Sequence, residues 1–204
     1  MRFFNTAGPV NCEDHYCLPP LERFDLFEIE MLIAQKKYFV LHAPRQTGKT
    51  SYLLALMDHL NEQGKYNCLY FNVEGAQTAR ENVGEGMQAI LSKMAYWAKS
   101  RLKDSFVESI WPDVLDRSGP HAALGEVLAE WSQNSTKPLI LLIDEIDSLV
   151  GDTLVAVLRQ LRANYHNRPV LFPQSVILCG VRDVRDYRLE IAGKEKTTDG
   201  SAFD

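Results

Sequence analysis

Short apolar runs alternate along this chain with longer stretches in which apolar residues recur every third or fourth position. Four runs have the length and the β-branched or aromatic content of strands: Tyr38–His42 (YFVLH), Asn67–Val73 (NCLYFNV), Leu139–Ile143 (LILLI) and Ser175–Val181 (SVILCGV). Helical spacing marks Leu21–Gln35, through Phe24, Phe27 and Met31. It marks Thr50–Gln63 through Tyr52, Leu53, Leu56, Met57 and Leu60, with Gly64 as the stop. Asn82–Leu102, weakened early by Gly84 and Gly86, His121–Gln133 and Val150–Tyr165 read as further helices. Trp111-Pro112 through Gly119-Pro120 reads as a loop, and Asn134–Lys137 as a turn.

The five consecutive apolar residues of Leu139–Ile143 imply burial on both faces, as in a parallel sheet. Strands alternating with helices predict an α/β fold with right-handed crossovers and helices on both sides of the sheet. The chain has 204 residues, which suits one domain. Its pattern divides into an irregular arm at residues 1–20, a core at 21–190 and a polar tail at 191–204.

Composition narrows the functional classes. Apolar residues make up 46% and charged residues 24%, a globular rather than disordered profile. A net charge of -5 offers no bulk attraction to nucleic acid or to an anionic membrane. No apolar run approaches the ~20 residues that span a bilayer, and no signal peptide is evident. Cys68 and Cys179 lie in strand-like runs, where a thiol acts as a small hydrophobe. Cys12 and Cys17 flank His15, but a zinc knuckle needs a second ligand pair that the sequence does not offer. Four cysteines in all point to a reducing compartment, and the expected location is the cytoplasm.

The segment Ala43-Pro44-Arg45-Gln46-Thr47-Gly48-Lys49-Thr50-Ser51 follows a predicted strand and opens a predicted helix. That is the context a phosphate-binding loop requires. Consecutive backbone N–H groups at a helix N-terminus converge on phosphate oxygens. Gly48 permits close backbone approach. Lys49 supplies charge to the β- and γ-phosphates, and the Thr50 hydroxyl is a Mg²⁺ ligand candidate. The first position of the usual pattern is glycine, and here it is Ala43, tolerable where its φ is negative.

Asp144 and Glu145 close the most apolar strand. At that edge Asp144 is positioned to hold Mg²⁺ together with Thr50. Glu145 is the candidate base for an attacking water. The plain alternative is that both carboxylates cap the following helix; Asp147 and Ser148 read that way already. Arg182, past Gly180, is placed either to sense a γ-phosphate or to join a self-paired charged turn with Asp183 and Asp186. Arg185 and Arg188 read as part of that turn. His42 reads as packing under the loop. Glu74, followed by Gly75, is either a turn residue or a group within reach of the γ-phosphate.

APRQTGKT after YFVLH, then LILLIDEID, then VILCGVRD together resemble the AAA-like and STAND-related ATPases of the P-loop superfamily. The resemblance spans Leu21 to Arg188. It implies a three-layer core with sheet order 5-1-4-3-2, an arginine sensor at Arg182, and an adenine pocket built partly from the N-terminal arm at His15, Tyr16, Pro19 and Pro20. The family's fifth strand and helical lid are not evident before Asp204. The functional expectation is an ATP-binding protein with Mg-dependent hydrolysis coupled to a conformational switch. Catalysis falls to Lys49, Glu145 and Arg182, and Mg²⁺ binding to Thr50 and Asp144. Two alternatives stand beside it: a nucleotide-binding regulatory module without turnover, and a P-loop small-molecule kinase. The carboxylate pair and the lack of an arginine-rich lid speak against the kinase. A protein partner or further domains fit a switch; nothing in the pattern supports nucleic acid, and oligomeric state is not legible.

Overall fold

The computed structural model describes residues 3–6, 11, 13–16 and 18–181. A short 3₁₀ turn at Pro20–Arg23 leads into α1 (Leu26–Ala34), whose first turn is capped by the Asp25 side chain accepting from the Glu28 N–H. Then follow β1 (Tyr38–His42), α2 (Lys49–Glu62), β2 (Asn67–Asn72), α3 (Val83–Trp97), α4 (Phe106–Ser118), α5 (Ala123–Asn134), β3 (Leu139–Asp144), α6 (Gly151–Ala163) and β4 (Ser175–Gly180).

All strand pairs are parallel, in the order β1-β4-β3-β2. That is the 1-4-3-2 part of the expected order. A fifth strand beside β1 does not occur among the described residues. Parallel pairing puts every strand's C-terminal end on one edge, so the loop after β1 and the carboxylates after β3 open on the same side.

Alternation along the strands builds two cores. Leu69 and Phe71 of β2, Leu139, Leu141 and Ile143 of β3, and Val176 of β4 face a layer made by α3, α4, α5 and α6. Cys68, Tyr70, Ile140, Leu142, Ile177 and Cys179 face the other way, onto α1 and α2. Every residue of β3 is buried, as its unbroken apolar run requires. Cys68 and Cys179 are free, buried thiols.

The sequence reading errs in the segment after α3. The helix does not run unbroken to Leu102; it ends at Trp97 and passes into a π-type turn, Ala98–Leu102. Trp111–Pro120 is not a loop, because its first eight residues belong to α4 with Pro112 inside. Proline forfeits one bond and costs roughly 3 kcal/mol in a helix interior. Phe106, Val107, Ile110, Trp111, Val114 and Leu115 form a continuous helical stripe packed on the core. At about 1.5–3 kcal/mol for each of the buried Val107 and Val114, with the four partly buried members adding to it, that stripe offsets the proline.

Asp147 and Ser148 do not cap α6 either. They lie in a 3₁₀ turn, Ile146–Ser148, and α6 begins after Val150 with no cap from its own segment. Glu81 supplies the cap from the loop before α3, its carboxylate accepting from the Asp152 N–H at 3.1 Å.

Candidate functional site

The loop between β1 and α2 is held open by two left-handed residues, Gln46 (φ 62°) and Gly48 (φ 84°). Ala43 is not among the residues with positive φ, so alanine fits where the usual pattern has glycine. Gly48 is the residue from which α2 departs, and its carbonyl accepts from the Tyr52 N–H at 2.9 Å. A side chain there would face left-handed strain and the guanidinium of Arg23, 2.5 Å from the nearest added atom. Arg23 donates to the Thr47 carbonyl at 2.9 Å, and the Thr47 hydroxyl to the Pro44 carbonyl at 2.8 Å. The loop is therefore braced from outside and tied within. The loop leads into the N-terminus of a 14-residue helix, the kind of place where backbone N–H groups can receive an anion.

Lys49 is buried, and its ammonium donates to the Ala43 and Pro44 carbonyls at 2.8 and 2.9 Å. This folds the charge back across the loop. Thr50, one residue on, donates its hydroxyl to Asp144 Oδ2 at 2.8 Å. The loop after β1 and the end of β3 thus meet directly. Arg45 and Gln46 are exposed, and Ser51 is half-buried in the first turn of α2.

Asp144 is fully buried, yet each carboxylate oxygen has a donor. Oδ1 accepts from the Glu145 N–H at 3.0 Å; Oδ2 accepts from Thr50 and from the Tyr70 hydroxyl at 3.0 Å. Burial, then the neighbouring Asp144 charge, pushes the Tyr70 phenol well above its usual range, so it remains a donor. Burial and Asp144 also push the Cys179 thiol upward, which keeps it a neutral thiol.

Glu145 takes a left-handed conformation (φ 56°, ψ 40°), unusual for a glutamate and of order 1 kcal/mol in cost. The turn carries its side chain out of the strand while its N–H stays on Asp144. Burial first, then repulsion from Asp144, Asp147 and Glu74, raises its pKa; Lys49 opposes the shift. A raised carboxylate is what a general base near neutral pH needs. Glu74 opens a 3₁₀ stretch, Glu74–Ala79, and is exposed. Its charge reaches Glu145, so the β2 end belongs to the same acidic neighbourhood.

Other expectations fare differently. His42 is exposed rather than packed under the loop. Asp147 joins the end of β4, where its Oδ2 accepts from the Val181 N–H at 3.1 Å. In the arm, His15 packs edge-on against Phe3 and its Nδ1 accepts from the Asn11 N–H at 3.0 Å, and Tyr16 lies against Phe4, so these contacts lie within the arm. Arg182, with Arg185, Arg188, Cys12 and Cys17, lies outside the described residues.

Two residues of the site escape sequence reading. Arg23 has no motif around it. Tyr70 carries a faint signal: a tyrosine inside a buried strand needs a partner for its hydroxyl. An open cleft of about 360 Å³ adjoins from the β2 side, between Asn72–Ala76 and Ala89, Ile90, Lys93 and Trp97 of α3. No residue of 43–51 lines it, so the phosphate reading rests on the loop and the carboxylates.

The donor set suits a hard divalent cation. One hydroxyl and one carboxylate converge, and among the described residues no group of three or more His, Cys, Asp or Glu is assembled to hold a metal alone. Mg²⁺ characteristically takes one or two carboxylates and completes its shell with water and substrate phosphate. No helix among the described residues is long and apolar enough to cross a membrane.

The family model described as Nephrocystin 3, N-terminal, matches residues 29–172, from α1 to the segment before β4. No curated protein matches the chain. Among solved structures, a chain in the structure of Drosophila ORC bound to DNA aligns with a TM-score of 0.46 and 15% identity, over 91% of this chain and 49% of that one. The chain thus spans about half the length of that solved chain.

Proposed function

We propose that this chain, a member of the Nephrocystin 3, N-terminal family, binds ATP with Mg²⁺ and hydrolyses it, and that the cycle drives a conformational switch. The observation that carries this reading is the hydrogen bond from Thr50 to Asp144, 2.8 Å across 94 residues of sequence. It joins a phosphate-type loop to a buried strand-end carboxylate, the pairing that P-loop hydrolysis requires.

In this reading the backbone N–H groups of Arg45–Thr50 bind the phosphate chain, and Lys49 turns from the Ala43 and Pro44 carbonyls to the β- and γ-phosphates. Thr50 and Asp144 would hold Mg²⁺, which when bound neutralises charge on the phosphate oxygens. Glu145 orients and deprotonates the attacking water, its raised pKa making it a stronger base than an ordinary glutamate. Arg182 follows Val181 in sequence and is proposed as the γ-phosphate sensor on the family resemblance alone. The adenine-pocket assignment to the arm rests on that resemblance too. A soluble cytoplasmic setting and a protein partner for the switch are part of the same reading.

Phosphate release from ATP under Mg²⁺ tests the reading. Wild type should turn over; Lys49→Ala should neither bind nor turn over; Glu145→Gln should bind without turning over. Binding by wild type with no release above the Glu145→Gln background would reduce the protein to a nucleotide-holding module.

A further inference from the structure

We infer that Tyr70 is a positioning residue for the metal carboxylate, fixing Asp144 so that the Mg²⁺ site is formed before the cation arrives. The inference rests on the Mg-nucleotide reading above and adds to it a residue outside the 43–51 loop.

Alternation along β2 turns Tyr70 toward the α2 side of the sheet, with Cys68. Parallel register sets Asn72 beside Asp144 and Tyr70 beside Leu142. The ring fills the space between the strands and α2, and its hydroxyl extends to the end of β3. Tyr70 is 6% exposed and Asp144 0% exposed. A buried carboxylate needs donors on both oxygens. The Glu145 N–H holds Oδ1; Thr50 and Tyr70 share Oδ2.

The three N–H and O–H donors have different futures. The Glu145 amide is backbone and stays. The Thr50 hydroxyl is itself a metal ligand candidate and changes its surroundings when Mg²⁺ binds. Tyr70 is the hydroxyl donor on Asp144 that is not itself a metal-ligand candidate; the Cys179 thiol also bonds to Asp144 but is a weak donor, and Asn72 holds the Tyr70 hydroxyl from its other side. It holds the carboxylate plane whatever Thr50 does. Partners of this kind set the orientation of ligating carboxylates, and losing one typically costs about 10–100-fold in metal affinity.

The test is a Mg²⁺ titration of AMP-PNP binding by calorimetry, on wild type and Tyr70→Phe, with a second series in EDTA. The expected result is a half-saturating Mg²⁺ concentration raised about tenfold or more in Tyr70→Phe, with affinity in EDTA unchanged because the loop and Lys49 are untouched. Tyr70→Met, which fills similar space without a donor, should behave alike and stands in if the phenylalanine variant folds poorly. Coincident Mg²⁺ curves for wild type and either folded variant would overturn the inference while leaving the nucleotide reading intact. Absence of Mg-dependent binding by wild type would overturn both. Equal weakening in Mg²⁺ and EDTA would assign Tyr70 to the fold alone and also overturn it.

Discussion

The hydroxyl of Thr50 lies 2.8 Å from Asp144 Oδ2, so the first turn of α2 and the last residue of β3 share one hydrogen bond at the C-terminal edge of the sheet. Two strands that are not neighbours bring this about. β4 sits between β1 and β3 and spaces the loop from the carboxylates. Asp144 enters the contact already satisfied on its other oxygen by the Glu145 N–H.

Replacing Lys49 by alanine removes the only ammonium lying across the loop among the described residues. Saturable ATP binding should be lost, a fall in affinity of at least roughly 100-fold, as for loss of a charge-assisted phosphate contact of about 3 kcal/mol. Calorimetry measures this. Unchanged circular dichroism would show that the loss is local.

Glu145→Gln should retain ATP binding and lose hydrolysis by roughly 10²–10⁴-fold, the usual contribution of a general base. A base must be ionised to act, so wild-type kcat/KM should fall as pH drops through the raised Glu145 pKa, above the ordinary glutamate range. Stability carries the opposite sign. A folded-state pKa raised above the unfolded one means ionised Glu145 destabilises the fold once pH exceeds the folded value, and the effect vanishes below the unfolded one. Glu145→Gln should therefore raise Tm near pH 8 and leave it unchanged near pH 3.5.

Gly48→Ala forces alanine to φ 84° against Arg23. Left-handed strain costs about 1–2 kcal/mol, so Tm should fall by roughly 2–8 °C. Nucleotide affinity should fall too, because the loop amides move. Arg23→Ala should weaken binding without the strain, since it releases only the brace on Thr47.

Glu81→Ala is the matching control away from the chemistry. Losing the cap on Asp152 should cost about 1 kcal/mol, or 2–4 °C in Tm, with ATP hydrolysis unchanged. Scanning calorimetry checks the first part and phosphate release the second.

Much of the architecture was legible because it depends on local pattern. All four strands fall on the four apolar runs, and the β3 run announced burial on both faces. The place of the 43–51 loop between β1 and α2 was legible because its residues are contiguous in sequence. What escaped depends on distant partners. Pro112 reads as a breaker until the stripe Phe106–Leu115 is seen against the core. Glu81 looks like a surface acid, but it caps a helix 71 residues away. Tyr70 and Arg23 reach the site across gaps of 74 and 24 residues, which no local spacing encodes. Asp147 looked like a cap because aspartate before a helix often is one; its carboxylate is taken up by the Val181 amide instead.

The most direct test of the central claim is ATP titration into the wild-type chain with Mg²⁺ and again with EDTA. A saturable single site, tightened by Mg²⁺ and lost in Lys49→Ala, is the outcome this geometry calls for. The absence of saturable binding in both buffers, or binding indifferent to Lys49, would contradict it.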